Sequence, residues 1–205
     1  MAANPASMLQ KIAEADFPTR FGRFRIYGFD CRNGAGTDEA VVLTMGDVKA
    51  KDPLLVRIHS ECLTGDVFHS LRCDCRAQLE LSLAMIADEG RGMIIYEHQE
   101  GRGIGLLNKL RAYELQDGGA DTIEANERLG FEADLRDYEL PSQVLHYFGI
   151  GRVRLLSNNP EKIQALENHG IEVAERVACQ PQTTETAERY LRTKKERMGH
   201  FLEGF

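Results

Sequence analysis

The hydrophobic period of this chain changes between Ile58 and Cys75, and that change constrains its fold more than any other feature. Before it, side chains alternate. Over residues 20–30, Phe24, Ile26 and Gly28 fall on one side, and Arg23, Arg25 and Tyr27 on the other. A period of two belongs to a strand. Residues 40–45 and 54–58 predict two further strands, with a turn at Asn33-Gly34-Ala35-Gly36. The first half is expected to be β-rich and antiparallel, with residues 1–16 as a loose arm or short helix. After the change the period becomes helical. Cys75–Glu89 carries Leu79, Leu83 and Ile86 at helical spacing, and Gly90 stops it. Helices are predicted over 105–116, 122–129, 142–148, from Asn159-Pro160 to His169-Gly170, and over 184–198. Short strands are predicted at 92–96, 153–156 and 171–177. Asn159 is a good N-cap, and Pro160 suits the first helical position. The pattern predicts an α/β (α+β) fold, with a β-rich N-terminal half, a mixed sheet, and helices flanking it in the C-terminal half. No repeat or linker divides residues 1–205, so one domain is expected.

Length and composition agree with this. The 205 residues suffice for one substantial core. The longest apolar runs, of about five residues, fall far short of the roughly 20 a membrane helix needs. The first residues lack a basic segment followed by an apolar stretch, so a cytoplasmic protein is expected. A net charge of −7 argues against a broad nucleic-acid surface. A small polyanion remains a candidate ligand if basic residues converge in one cleft. The run Lys194-Lys195-Glu196-Arg197 reads as a solvated helix face.

Chemistry concentrates around three thiols. Cys62 is followed after ten residues by Cys73-Asp74-Cys75, so three of the five cysteines fall within fourteen residues. A structural zinc site takes four protein ligands, whereas a catalytic one takes three and leaves a position for water. Three thiols with no evident fourth partner point to an open metal position, and buried packing of small thiols is the alternative. In an extended segment Cys73 and Cys75 point the same way. Cys75 opens a helix, where the dipole lowers a thiol pKa. Arg72 or Arg76 would offset the charge of three thiolates. An odd cysteine count suits metal binding better than a disulfide framework, and Cys31 and Cys179 are left to packing.

Four other groups accompany the thiols. Arg57, His59 and Glu61 share one side of a continuing strand, as a phosphate-binding and proton-shuttling row or a solvated edge. Glu100-Gly101-Arg102-Gly103-Ile104-Gly105 follows a strand and precedes a helix, but its glycine spacing is not that of a dinucleotide fingerprint. It reads as a flexible turn or as a loop where Glu100 meets a guanine edge and Arg102 a phosphate. Lys162 sits in the first turn of the Asn159-capped helix, where a cation is unfavourable unless an anion neutralises it. Asp134 and Arg136 form a base beside a guanidinium, or a surface ion pair. Tyr113, spaced with Leu106 and Leu110, reads by itself as a core tyrosine.

Together these residues resemble one family, GTP cyclohydrolase II, the first enzyme of riboflavin synthesis. The likeness rests on Arg57-Ile58-His59-Ser60-Glu61-Cys62-Leu63-Thr64-Gly65-Asp66 and Ser70-Leu71-Arg72-Cys73-Asp74-Cys75. It continues through Gln99-Glu100-Gly101-Arg102-Gly103-Ile104-Gly105-Leu106, Glu124-Ala125-Asn126, Asn158-Asn159-Pro160 and Lys162. It runs from about residue 18 to residue 200. The resemblance implies that Cys62, Cys73 and Cys75 bind Zn²⁺, with water as fourth ligand. It implies that Arg57, Ile58, His59, Ser60, Glu61, Gln78, Glu100, Gly101, Arg102, Thr122, Ser157 and Lys162 contact GTP, with Mg²⁺ on the triphosphate. Asp134 takes the place of the proton acceptor, Arg136 that of the proposed nucleophile, and Tyr113 that of a tyrosine needed to complete formate release. The implied reaction opens the guanine imidazole at C8 and releases formate and pyrophosphate. Ser157 stands where relatives often carry threonine, and Arg76 where some carry glycine. The resemblance also implies a homodimer, and the chain's length implies a monofunctional protein. A zinc nucleobase deaminase is a competing reading, since His59-Ser60-Glu61 fits half of its signature, but Pro-Cys-x-x-Cys is absent. A non-catalytic zinc nucleotide-binding module is the other.

Overall fold

The computed structural model describes residues 8–33, 36–50, 53–132, 134–181, 191–192, 194–197 and 199–204. The centre of the turn expected at 33–36 and much of the helix expected over 184–198 lie outside these residues.

Three strands open the chain: β1 (Met8–Thr19), β2 (Gly22–Asn33) and β3 (Gly36–Met45), paired antiparallel in sequence order. The arm or short helix expected over residues 1–16 is corrected from Met8 onward: it is strand β1. Its side chains from Gln10 to Pro18 are exposed. A strand that covers no core needs no apolar face, which is why alternation did not reveal it.

The remaining elements are β4 (Leu54–Ser60), α1 (Leu63–Asp66), α2 (Cys75–Glu89), β5 (Gly92–Glu97), a 3-10 turn at Glu100–Gly103, α3 (Leu106–Asp117), α4 (Thr122–Arg128), α5 (Glu139–Tyr147), β6 (Arg152–Leu156), α6 (Pro160–Asn168) and β7 (Glu172–Val177). One sheet runs in the order β1-β2-β3-β5-β4-β6-β7. β3 pairs antiparallel with β5, whereas β5–β4, β4–β6 and β6–β7 are parallel. The expected antiparallel first half therefore ends at β3. β4 lies between two parallel neighbours because α2 carries the chain across to β5, as a parallel connection requires.

β4 is buried from Leu54 to His59. A parallel strand covered on both faces reads as a continuous apolar run. Leu54, Val56 and Ile58 enter one core with Met93, Ile95, Val144, Leu145, Leu155 and Leu166, beneath α5 and α6. Leu55 faces the other way, into a second core with Phe24, Ile86, Ile94 and Leu156 against α2. Arg57 and His59 share that second parity, where the apolar cover stops. Parallel strands β4, β5 and β6 all end at the same edge, the usual place for a ligand in such a sheet.

Candidate active site

A cavity of about 410 Å³ opens at that edge. The segments following β4, β5 and β6 line it, together with α3 and the chain's last residues.

At one end are the thiols. Cys62 follows β4, Cys73 lies in the turn before α2, and Cys75 is the first residue of α2, with Asp74 at the N-cap position. Cys75 opens the helix as expected, and the turn before it, not an extended segment, brings Cys73 beside it. Their three Sγ atoms lie within 4.8 Å of one another, with Cys62 and Cys73 3.6 Å apart. Zinc–thiolate bonds of about 2.3 Å at tetrahedral angles put sulfurs about 3.8 Å apart, so the spacing fits a metal. The helical turn α1 leaves only a hydrogen facing the trio. A Cβ on Gly65 would stand 2.9 Å from Cys73 Sγ and 3.1 Å from Cys62 Sγ. Without a dication the trio cannot ionise fully. Hydrogen bonds from Cys73 and Cys75, with Lys109 nearby, hold Cys62 far below the thiol range. The contact with Cys62 pushes Cys73 up to about 11, and contacts with both partners push Cys75 well up, overriding the lowering expected at a helix start.

The cation beside the trio is also not the expected one. Arg72 pairs with Asp117, and Arg76 binds the Asp66 carbonyl and Glu80. Lys109 Nζ, from α3, lies 3.1 Å from Cys62 Sγ and 2.7 Å from Glu100 Oε1. Asp66 fixes the trio from the sheet side. It accepts from Cys62 N at 3.0 Å and Tyr96 Oη at 2.9 Å, and lies 3.1 Å from His59 Nε2. Tyr113 faces this end instead of the core, with its hydroxyl 3.3 Å from Thr64 Oγ1. Burial pushes the phenol up. The expected apolar stripe of α3 is absent: Leu110 is exposed and Ala112 is the buried residue.

Cations form another part of the wall. Lys162, in the first turn of α6, is buried, and its Nζ donates to Ile58 O at 2.8 Å. Burial, then Arg57 and Arg136, holds its pKa well below the ordinary lysine value. Arg57 donates to Leu156 O at 3.0 Å and Gln78 Oε1 at 2.5 Å, and its buried Nε has no partner among the described residues. Arg136 grips Asp134 through Nε at 2.8 Å and through a second, shorter bond, and reaches Ser60 Oγ at 3.4 Å. Burial opposes ionisation of Asp134, yet the Arg136 guanidinium holds it below the usual carboxylate range. Burial opposes protonation of Arg136 too, but Asp134 moves it above the usual arginine value. Cations buried this closely call for an anionic ligand.

The Glu100–Gly103 turn also contributes to the wall, through Glu100, Gly101 and Arg102. Gly101, Arg102 and Gly103 are all left-handed, with φ of 63, 66 and 89°. Two glycines accept this freely, whereas Arg102 is strained. Glu100 takes donors from Leu63 N at 2.7 Å, Gly101 N at 2.9 Å and Lys109. The carboxylate expected to read a guanine edge is thus also the tether between this turn, α1 and Lys109.

Of the residues expected to touch substrate, Arg57, His59, Ser60, Glu61, Gln78, Glu100, Gly101, Arg102, Ser157 and Lys162 line the cavity, as do Arg136 and Tyr113. Ile58 does not. Its side chain is fully buried in the core, and only its carbonyl reaches the site. Asp134 acts behind Arg136, and the Thr122 side chain lies outside the described part. Local sequence pattern does not mark Lys109, Asp66, Tyr96, Lys194 or His200 as part of the site. Lys109 had a usable signal, because it lies four residues before Tyr113 and so shares its helix face. Lys194, expected on a solvated face, instead lines the cavity and donates to Asp74 Oδ1 at 3.0 Å, while Arg197 pairs with Asp121.

Comparison with known proteins follows the same lines. The family model described as GTP cyclohydrolase II matches residues 10–178. A protein of Pseudomonas paraeruginosa named GTP cyclohydrolase-2 is 55% identical over 192 residues, covering 93% of this chain and 92% of its own. The riboflavin biosynthesis protein RibBA of Bacillus cereus is 52% identical over 196 residues, covering 96% of this chain and 49% of its own. A solved structure of RibBX, a two-domain 3,4-dihydroxy-2-butanone 4-phosphate synthase from A. baumannii, aligns with a TM-score of 0.46 at 19% identity, covering 85% of this chain and 41% of that one.

Proposed function

The chain belongs to the GTP cyclohydrolase II family of riboflavin biosynthesis, and from that premise we propose that it hydrolyses GTP to formate, pyrophosphate and 2,5-diamino-6-hydroxy-4-(5-phosphoribosylamino)pyrimidine. The observation that carries this reading is one cavity lined both by a thiol trio and by Arg57, Arg136 and Lys162. That combination matches a substrate that carries both a ring to be opened and a triphosphate. The family match favours neither the deaminase nor the non-catalytic alternative.

Cys62, Cys73 and Cys75 would hold Zn²⁺, which when bound supplies Lewis acidity for hydrolysis at C8. The chain's own groups do the rest. Lys162 and Arg57 bind the triphosphate, carried as its Mg²⁺ complex, and the phosphate charge favours the protonated form of Lys162 that burial disfavours. Arg136 is held as a fixed cation by Asp134. A guanidinium so engaged is a poor nucleophile, so Arg136 stabilises charge at the α-phosphate while water displaces pyrophosphate. Asp134 orients Arg136 and accepts a proton from that water. Tyr113, beside Thr64 at the thiol end, assists release of C8 as formate. Glu100, Gly101 and Arg102 form part of the cavity wall, and Gln78, His59, Ser60, Glu61 and Ser157 complete it. Residues 1–205 act as one domain, in the cytoplasm and as a homodimer. No helix among the described residues is long and apolar enough to cross a membrane.

Incubation with GTP, Mg²⁺ and Zn²⁺, followed by assay of formate, ammonia and pyrophosphate, tests the reading. Formate and pyrophosphate together are the expected result. Ammonia without formate would establish a deaminase, and unchanged GTP a binding module.

A further inference from the structure

The cavity has a wall beyond the stretch matched by the family model. Lys194, His200 and Leu202 line it, although the match ends at residue 178. This segment is pinned at several points. His200 N donates to Lys194 O at 3.1 Å and Phe201 N to Asn158 O at 2.9 Å. Gln180 Nε2 donates to Glu203 O at 2.8 Å, and Glu203 N to Gln180 Oε1 at 3.0 Å. The backbone on both sides of His200 is thus held, but its ring is not. Nδ1 and Nε2 are both buried, and neither has a hydrogen-bond partner among the described residues. Buried polar atoms left unmet are destabilising and uncommon in native proteins, so a ring that lines a cavity with both nitrogens unmet calls for a ligand. Charged groups near it are Lys194, Arg102, Arg136 and Asp74. Lys194 is paired with Asp74 and Arg136 with Asp134, so the surroundings keep a net positive charge that favours an anion over a cation.

We infer that His200 is a substrate-contacting residue that hydrogen-bonds the triphosphate of GTP, so that the C-terminal segment forms part of the phosphate pocket. The inference rests on the proposed substrate, and its chemistry requires only that one ring N–H donate to a phosphate oxygen. Burial, then the neighbouring cations, holds the free imidazole neutral, with its pKa down to about 3. A bound polyanion removes that repulsion and strengthens the contact.

The test uses the full-length chain, its His200→Ala and His200→Gln variants, and inorganic triphosphate with Mg²⁺ as probe, guanosine serving as control. Triphosphate affinity is expected to fall about tenfold in His200→Ala, the size of one hydrogen bond to a charged group. The KM for GTP should rise by a similar factor, while guanosine affinity and zinc content stay unchanged. His200→Gln, which keeps a donor, should recover part of the loss. Unchanged triphosphate affinity in His200→Ala would overturn the inference, as would a loss confined to guanosine or an equal loss of both ligands and of zinc. If the wild type binds triphosphate through His200 yet leaves GTP intact, the proposed reaction fails and the phosphate contact stands.

Discussion

Gly65→Ala separates the metal site from the fold, because two opposing effects of the added methyl act in different places. Gly65 lies within α1 at a backbone angle any residue adopts, so alanine brings no left-handed strain. By helix propensity alone it would stabilise by about 1 kcal/mol. The methyl, however, would stand 2.9 Å from Cys73 Sγ, 3.1 Å from Cys62 Sγ and 3.3 Å from Cys75 Cβ. Ordinary contacts begin near about 3.5 Å, so the Cys73 sulfur must retreat by about 0.6 Å. Metal sites tolerate about 0.2 Å, and overpacking costs about 1–3 kcal/mol. The cost falls on the convergence of the thiols. Zinc affinity, measured by competition with a chromogenic chelator, should therefore drop about 5- to 150-fold. The melting temperature of the metal-free protein should change by no more than a few degrees. Zinc affinity within twofold of wild type would refute the reasoning, showing either that the trio is not the metal site or that its cradle yields freely.

Three further outcomes are expected. Lys162→Met should abolish GTP turnover and raise the stability of the free protein by about 1–2 kcal/mol at pH 7, since it removes a buried cation placed among others. The sign follows from linkage: the folded-state pKa of Lys162 is lowered, so the unfolded chain binds the extra proton, and wild-type stability rises with pH between the two values. A variant less stable than wild type at pH 7 would count against this. Cys73→Ser, or removal of metal from the wild type by a chelator, should end formate release while circular dichroism and Tm stay near those of the folded enzyme; full formate output would remove zinc from the mechanism. Tyr113→Phe should cost less than about 1 kcal/mol of stability, because its hydroxyl makes one long contact at 3.3 Å to Thr64, yet formate release should fail; a normal rate of release would end the tyrosine's assignment.

Much of the fold is legible in local chemistry. Helix α2 spans the predicted residues because Leu79, Leu83 and Ile86 repeat at its period and Gly90 closes it in a left-handed cap. The Asn159 cap is equally local, with its side chain accepting from Glu161 N at 3.0 Å. β1 is invisible to periodicity because an exposed ribbon strand has no buried face to mark it, and α3 departs from its leucine pattern because Leu107 and Leu110 are exposed while Ala112 and Leu115 pack against Ala120 and Ala125. β4 is legible as a strand but its pairing is not, since its parallel neighbours depend on where a crossover helix lands.

The site divides in the same way. Three thiols at close spacing, a lysine in a capped first turn and a glycine-rich turn are short-range facts, so local sequence suffices to reveal a metal-type trio and phosphate-type cations. That they share one cavity, and which cation meets which anion, follows from long-range packing alone. Lys109 reaches Cys62 across 47 residues of chain, and Lys194 reaches Asp74 across 120. His200 comes to a cavity whose other walls were built far earlier in the sequence. Periodicity reports which face of an element is buried. It carries no information about which distant element will cover that face, because packing of the whole sheet settles that choice.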